Sequence, residues 1–175
     1  MGVESFETML SGGHHNSLGK TVEVVEIVLS DATRLEELYN CYFSTDEIVR
    51  LRTSNAIKRI SKQNPNWLVP YLDRFISTIA TIDQASAQWT LADLFLTLTP
   101  HMSQEQQAKA QAILKNNLES SNDWIVLNKT MQTLVIWAKK DCQLQQWLIP
   151  QLNRLSKDNR KSVAGRAKKL QAGIK

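Results

Sequence analysis

Cysteine, proline and glycine are all scarce in this sequence. Its 175 residues include two cysteines, four prolines and six glycines. Cys41 and Cys142 lie far apart and fit neither a metal-binding nor a redox spacing, so the sequence offers no cysteine-based metal centre. A small chain with two unclustered cysteines is typical of the cytoplasm, where thiols stay reduced.

Long apolar runs and a basic N-terminal leader are also missing. Residues 1–10 contain Glu4 and Glu7 but no basic residue, which argues against a signal peptide. No apolar run approaches the roughly 20 residues that a membrane-spanning helix needs. What is present is ordinary for a globular protein: 42% apolar and 22% charged residues, in a chain long enough for one domain with its own core.

Charge is distributed unevenly along the chain. The net charge of +4 combines −7 over residues 1–47, +4 over 48–153 and +7 over 154–175. The two ends therefore differ strongly in sign. Such a dipole suits an anionic partner at the C-terminal end, or it serves solubility alone.

Apolar residues recur at helical spacing along the chain, which predicts helices of roughly 14 to 18 residues joined by short loops. The β-branched run Val22–Leu29 permits a strand, but the helical patterns downstream favour a helix. Ser103 and Gln106 have the spacing of a capping box. For the helix Asp46–Ile60 the predicted N-cap is Thr45 or Ser44, and for the helix through Val126 it is Asn122 or Ser121.

Two segments of the sequence repeat at long range. Trp67–Phe75 matches Trp147–Leu155, with the tryptophans 80 residues apart, which is two periods of about 40. Asp46-x-x-Val49 likewise recurs as Asp123-x-x-Val126. A helical hairpin that repeats about every 40 residues indicates an α-solenoid, because one hairpin cannot bury its apolar face without neighbours.

The repeating unit resembles the HEAT family of armadillo-like proteins. The resemblance rests on one second-helix pattern and on two first-helix prolines: Asp46, Val49, Arg50, Ser54, Ala56, Ile57 and Ile60, with Pro70 and Pro150. It implies an all-α superhelix of about four hairpins over residues 31–175. Residues 1–30 then form an N-terminal helical cap with a flexible Gly/His loop, in one compact domain overall.

The same resemblance implies an ion pair between repeats. The family's arginine at the position of Arg50 meets an aspartate of the next repeat, and Asp83 and Asp123 both remain possible partners here.

In a HEAT solenoid the second helices line a concave face, which implies a protein-binding surface. We therefore expect a small adaptor or scaffold subunit. Trp89 would be the aromatic anchor of this surface, or it would be covered by the chain end or a loop; the other tryptophans considered (Trp67, Trp137 and Trp147) are assigned to the core. The candidate partner-binding residues are Leu51, Arg52, Asn55, Arg59, Trp89, Asp93, Asn128 and Gln132.

Three alternatives remain. Trp89-x-x-x-Asp93 resembles the tryptophan–aspartate pair of HEAT-like alkylpurine DNA glycosylases, in which the aspartate stabilises a cationic sugar. HEAT-like repeats also occur in phycobilin lyases. The basic C-terminal segment would bind nucleic acid or an acidic protein, associate head to tail with the acidic N-terminus, or serve solubility alone; its cations are Arg160, Lys161, Arg166, Lys168 and Lys169.

No catalytic, cofactor or metal site is predicted. Gly13–Thr21 resembles a phosphate-binding loop, but five residues separate its glycines where the motif requires four. His14 and His15 are adjacent and would point apart on any regular element, without a third metal ligand nearby. The sequence favours a protein that is not an enzyme, and it leaves the oligomeric state open.

Overall fold

A computed structural model describes residues 4–174, which contain helices and turns but no strand. The chain is therefore all-α, as predicted, and short 3-10 turns link several of the helices. In chain order the α-helices are α1 (Phe6–Leu10), α2 (Thr21–Ser30), α3 (Leu35–Asn40), α4 (Glu47–Gln63), α5 (Leu72–Ser77), α6 (Ala85–Leu98), α7 (Gln104–Ser120), α8 (Trp124–Ala138), α9 (Cys142–Leu155) and α10 (Lys161–Ala172).

The helices form two compact units, Met1–Thr90 and Leu91–Lys175. In the first unit α4 is central and packs against α1, α2 and α3. Its buried stripe includes Val49, Ile57 and Ile60, whose spacing of eight and three residues keeps them on one face of a helix. The boundary between the two units falls inside α6. The N-terminal cap expected over residues 1–30 falls within the first unit and stays a prediction.

Helix α8 is central in the second unit and packs against α7, α9 and α10. Two hydrogen bonds join α8 to α6 and to the 3-10 turn that follows α6. Thr133 Oγ1 donates to the carbonyl of Ala92 (2.9 Å), and Trp137 Nε1 donates to Thr99 Oγ1 (2.9 Å).

Aspartates begin both central helices. Asp46 Oδ1 accepts a hydrogen bond from the Ile48 backbone N–H (2.8 Å), and Asp123 Oδ1 accepts from those of Ile125 and Val126. The predicted caps one or two residues earlier were wrong in both cases. A carboxylate both satisfies the free N–H groups and interacts favourably with the helix dipole.

Two other local predictions are confirmed. The β-branched run forms the helix α2. Ser103 and Gln106 form a reciprocal capping box at the start of α7, with bonds of 3.1 and 3.0 Å.

The expected helix length was wrong for the segment around Trp67. Residues Pro65–Tyr71 form a 3-10 helix, and α5 after it has only six residues, whereas the matching Pro150 lies inside the 14-residue α9. The first copy has a second proline and no side-chain cap at Asn64. In the second copy Asp141 caps α9 by accepting the Leu144 N–H at 3.0 Å, which stabilises the α-helix before its proline.

The expected partner of Arg50 was also wrong. Its Nε donates to Gln84 Oε1 (2.7 Å) and its second nitrogen to the carbonyl of Ser44 (2.7 Å). Gln84 in turn donates to the carbonyl of Glu47 (3.0 Å). Arg50 therefore joins α4 to the start of α6 through neutral acceptors, next in sequence to the predicted Asp83.

Among the described residues, no helix combines the length and the apolar character needed to cross a membrane. Cys41 and Cys142 are free thiols. Burial, followed by the charges of Glu7 and Glu37, raises the pKa of Cys41 to about 12. Its thiol is therefore protonated at neutral pH and is a poor nucleophile.

Candidate functional site

A groove of about 490 Å³ lies between α2 and α4 in the first unit. It combines an apolar side with a basic side, and both sides come from regular helices. Its lining residues are Val22, Val25, Glu26 and Leu29 from α2, and Asn55, Lys58, Arg59, Lys62 and Gln63 from α4.

The α2 side of the groove is apolar. Val22 and Leu29 are seven residues apart and therefore share a helix face, with Val25 between them. Val25 is buried, Leu29 is half-buried, and Val22 is 44% exposed. The groove thus has a buried floor and an apolar edge in contact with water, which a second apolar surface would cover favourably.

The α4 side is polar and basic. Asn55, Arg59 and Lys62 follow each other at intervals of four and three residues, which places them on one face of α4. Within the described part of the chain, neither Arg59 nor Lys62 forms an ion pair. Glu26 is the single carboxylate among the lining residues, so the groove carries excess positive charge.

An amphipathic helix or extended segment complements such a groove. Apolar side chains of the ligand would cover Val22 and Leu29, while its carboxylates would face Arg59 and Lys62. None of the described residues that line the groove is a serine, threonine, cysteine or histidine.

No family model, curated protein or solved structure matches this chain. Function is therefore inferred from the groove and the residues around it.

The structure brings two of the predicted partner-binding residues into this groove, Asn55 and Arg59. Leu51 is half-buried beside them on α4, and its carbonyl accepts a bond from Asn55 Nδ2 at 3.4 Å.

The prediction for Arg52 was wrong, because this side chain is only 2% exposed. Its guanidinium donates to five backbone carbonyls of the segment before α2. The acceptors are Leu10 (2.7 Å), Ser11 (3.1 Å), Gly12 (2.7 Å), His14 (3.3 Å) and Ser17 (3.1 Å). Arg52 thus holds this loop against α4 and is not available to a partner.

These contacts also explain the segment that resembles a phosphate loop. A phosphate-binding loop points its N–H groups at an anion, whereas this loop points carbonyl groups at a cation. Gly19 has a φ of +50°, and a Cβ added there would lie 2.8 Å from Arg52 Cζ. Gly19 therefore lets the loop approach the Arg52 guanidinium closely. The polarity of the loop is opposite to that of a nucleotide site.

The remaining predicted residues lie on α6 and α8. Trp89, in the first unit, is half-buried. In the second unit, the Asp93 carboxylate forms an ion pair with Lys129 Nζ at 3.2 Å. Gln132 is half-buried, and Asn128 Oδ1 is buried without a hydrogen-bond partner among the described residues. A groove that unites these residues with those of α4 stays a prediction.

Sequence reasoning missed three residues. Val22 and Lys62 line the groove, but Val22 was treated as an ordinary member of its helix and Lys62 was not considered. For Val22 the signal was available, because Val22 and Leu29 share a face that is separate from the buried Val24 and Val28. Trp124, the first residue of α8, is 50% exposed and was not considered at all.

The histidines provide no metal site in the described residues, where no group of three or more potential ligands occurs. The expectation that His14 and His15 point apart applied to a regular element. They lie in a turn instead, and their rings stack with centroids 4.5 Å apart.

Proposed function

We propose that this chain is a small HEAT-like adaptor or scaffold subunit of the cytoplasm that binds an acidic, amphipathic segment of another protein. The binding site is the groove between α2 and α4. One observation carries the proposal: an exposed apolar edge at Val22 lies opposite two cations, Arg59 and Lys62, that no carboxylate of the described residues neutralises.

The HEAT-like part of the proposal is supported by the recurrence of local structure. Asp46-x-x-Val49 and Asp123-x-x-Val126 both begin a helix that is the centre of its unit, and in both the aspartate is the N-cap. Repeat proteins use the same helix position for the same packing role. The α-solenoid arrangement as a whole belongs to this proposal.

The glycosylase alternative has less support. Its proposed catalytic Asp93 is engaged by Lys129, whereas stabilising a cationic sugar requires a carboxylate that faces the ligand. No described contact favours the phycobilin lyase alternative.

A direct binding measurement tests the proposal. A fluorescent helical peptide with leucines on one face and glutamates beside them is titrated against the protein, and anisotropy is recorded. A peptide of the same composition in scrambled order is the control. We expect saturable binding of the amphipathic peptide alone, because only its ordered face matches the groove.

Matched variants locate the site. Val22→Ser should weaken binding about tenfold, since losing the burial of a valine costs about 1.5 kcal/mol or more. Ile149→Ser is the control. It removes a similarly exposed apolar side chain from the second unit, where Ile149 is 49% exposed, and should leave peptide binding unchanged. Arg59→Glu should weaken binding further by reversing the charge. Equal loss in Val22→Ser and Ile149→Ser would rule out the groove.

A further inference from the structure

Four lysines lie on two neighbouring segments of the second unit, two directly after α8 and two near the end of α10: Lys139, Lys140, Lys168 and Lys169, here called the lysine cluster. A small cavity of about 170 Å³ brings the two segments together, with Lys139 and Ala138 on one side and Gly173 and Ile174 on the other. Gln145 Nε2 donates to the carbonyl of Ile174 at 2.7 Å. The end of α10 therefore lies against the turn between α8 and α9.

The positive charge of the lysine cluster is not compensated locally. All four lysines are exposed, and none forms an ion pair or a hydrogen bond within the described residues. The nearby carboxylate of Asp141 is already engaged. It accepts from the Leu144 N–H (3.0 Å) and from Gln111 Nε2 (3.2 Å).

Arg160, another cation of the predicted basic segment, is already paired with a carboxylate. Asp158 holds it with two hydrogen bonds of 2.8 Å, to Nε and to the terminal nitrogen. Arg160 also donates to the carbonyl of Asn122. It therefore links the loop after α9 to the loop before α8, and it contributes little to the free charge.

The whole second unit is strongly basic. Residues 91–175 contain thirteen basic and six acidic residues, a balance of +7, whereas residues 1–90 contain eight basic and eleven acidic residues, a balance of −3. The lysine cluster is the part of this charge in which four exposed cations without a described partner lie on two segments that meet at Lys139 and Gly173. Such a cluster is the electrostatic footprint expected for a polyanion.

We propose that the lysine cluster binds the phosphate backbone of nucleic acid without reading its sequence. Lysine is depleted at protein–protein interfaces, whereas sequence-independent contact with phosphates relies on such flexible point charges. The residues that follow Lys168 and Lys169 on α10, 170 to 173, include no aromatic anchor for a protein partner. The apolar side chains near Lys168, which belong to Ile149, Leu152 and Ile174, line a groove separate from the cavity at Lys139. The lysine cluster is independent of the groove in the first unit.

Salt dependence measures the number of phosphate contacts. Binding of a labelled duplex and of a labelled single strand is measured by anisotropy at several salt concentrations. Each neutralised phosphate contributes a slope of about −0.9 on duplex DNA and about −0.7 on single strands. Four contacts therefore predict a slope of log K against log salt of about −3.6 on the duplex and about −2.8 on the single strand.

A matched pair of double variants tests the location. The double variant Lys168→Gln, Lys169→Gln should lose two phosphate contacts. The slope of log K against log salt should therefore become less negative by nearly two. Lys157→Gln with Lys161→Gln removes the same charge from exposed positions of this unit that also lack an ion pair, and it should reduce the slope far less. Thermal melts check that both variants remain folded, as exposed substitutions should.

Three outcomes would overturn the proposal. Equal loss in the two double variants would show a response to net charge alone. If neither the duplex nor the single strand binds at low salt, the lysine cluster is not a nucleic-acid site. Polyglutamate or anionic vesicles that bind as tightly as DNA, with the same dependence on Lys168 and Lys169, would assign the cluster to an acidic protein or a membrane surface. The cluster variant should leave binding of the amphipathic peptide unchanged, so this proposal and the groove proposal fail separately.

Discussion

Arg52 and Lys129 occupy the same position in the two central helices, six residues after the aspartate that caps each helix. Both side chains are cationic, but their surroundings are opposite. Arg52 is 2% exposed and is satisfied by five backbone carbonyls. The Lys129 side chain is 39% exposed and pairs with the Asp93 carboxylate at 3.2 Å.

The difference shows what a repeating helix pattern determines and what it leaves open. The pattern sets the direction in which a side chain leaves the helix. What the side chain meets depends on other parts of the chain: a glycine-rich loop in the first unit and a neighbouring helix in the second. A partner surface therefore cannot be assigned from the repeat position alone.

Removing each cation should give the largest contrast between the units. Arg52→Met keeps an apolar stem but leaves five carbonyls without their donor. Since hydrogen bonds to a charged group contribute about 1.5–3 kcal/mol each and are not additive, we expect a loss of about 3 kcal/mol or more in the free energy of unfolding. Urea denaturation monitored by circular dichroism measures this loss.

Lys129→Met is the matched control for Arg52→Met. It breaks a partly exposed ion pair, with side chains 39% and 21% exposed. Since ion pairs in contact with water are worth about 0–1 kcal/mol, the unfolding midpoint should change little. If the two substitutions cost the same, the loop carbonyls do not hold Arg52 as described, and the contrast between the units disappears.

Much of the secondary structure could be predicted from the sequence, because helix faces and caps are encoded within a few residues. The capping box at Ser103 and the helix α2 are examples. The 3-10 segment at Pro65–Tyr71 was missed because it depends on a weak cap combined with a second proline.

The candidate site was only partly predictable. Asn55 and Arg59 were found from the outward face of α4, whose period is local information. Arg52 was misplaced because the loop that buries it lies 35 to 42 residues earlier in the chain. That loop had been compared with phosphate-binding loops, since its glycine spacing does not reveal whether N–H or carbonyl groups face inward.

A glycine substitution within the loop tests the contact between the loop and Arg52. Gly19→Ala would place a Cβ 2.8 Å from Arg52 Cζ at a φ of +50°. Both strain and steric overlap should therefore destabilise the first unit, by about 2–3 kcal/mol in total.

Gly12→Ala separates the two contributions to this loss. Gly12 has a φ of +69° but nothing within 4 Å of the added Cβ, so only backbone strain of about 1–2 kcal/mol should appear. Equal losses for Gly12→Ala and Gly19→Ala, measured by the same urea titration, would mean that the Arg52 guanidinium does not restrict Gly19.

The smallest expected effect concerns pH. The two hydrogen bonds from Arg160 lower the pKa of Asp158 in the second unit from 3.8 to about 2. Because the folded-state pKa is the lower one, this carboxylate stabilises the fold above about pH 4, and its contribution is lost as the pH falls towards 2. The backbone carbonyls that bind Arg52 do not take up a proton between pH 2 and pH 7. The contribution of Arg52 to the free energy of unfolding should therefore not change with pH.

Urea denaturation of the wild type, Asp158→Asn and Arg52→Met at neutral and acidic pH distinguishes the pH-dependent ion pair from the pH-independent carbonyl contacts. Asp158→Asn should be slightly less stable than the wild type at pH 7, because the ion pair is partly exposed to solvent, and the difference should vanish near pH 2. The deficit of Arg52→Met relative to the wild type should be the same at both pH values. A deficit of Arg52→Met that shrinks in acid would indicate that a carboxylate, and not the loop carbonyls, compensates the buried guanidinium.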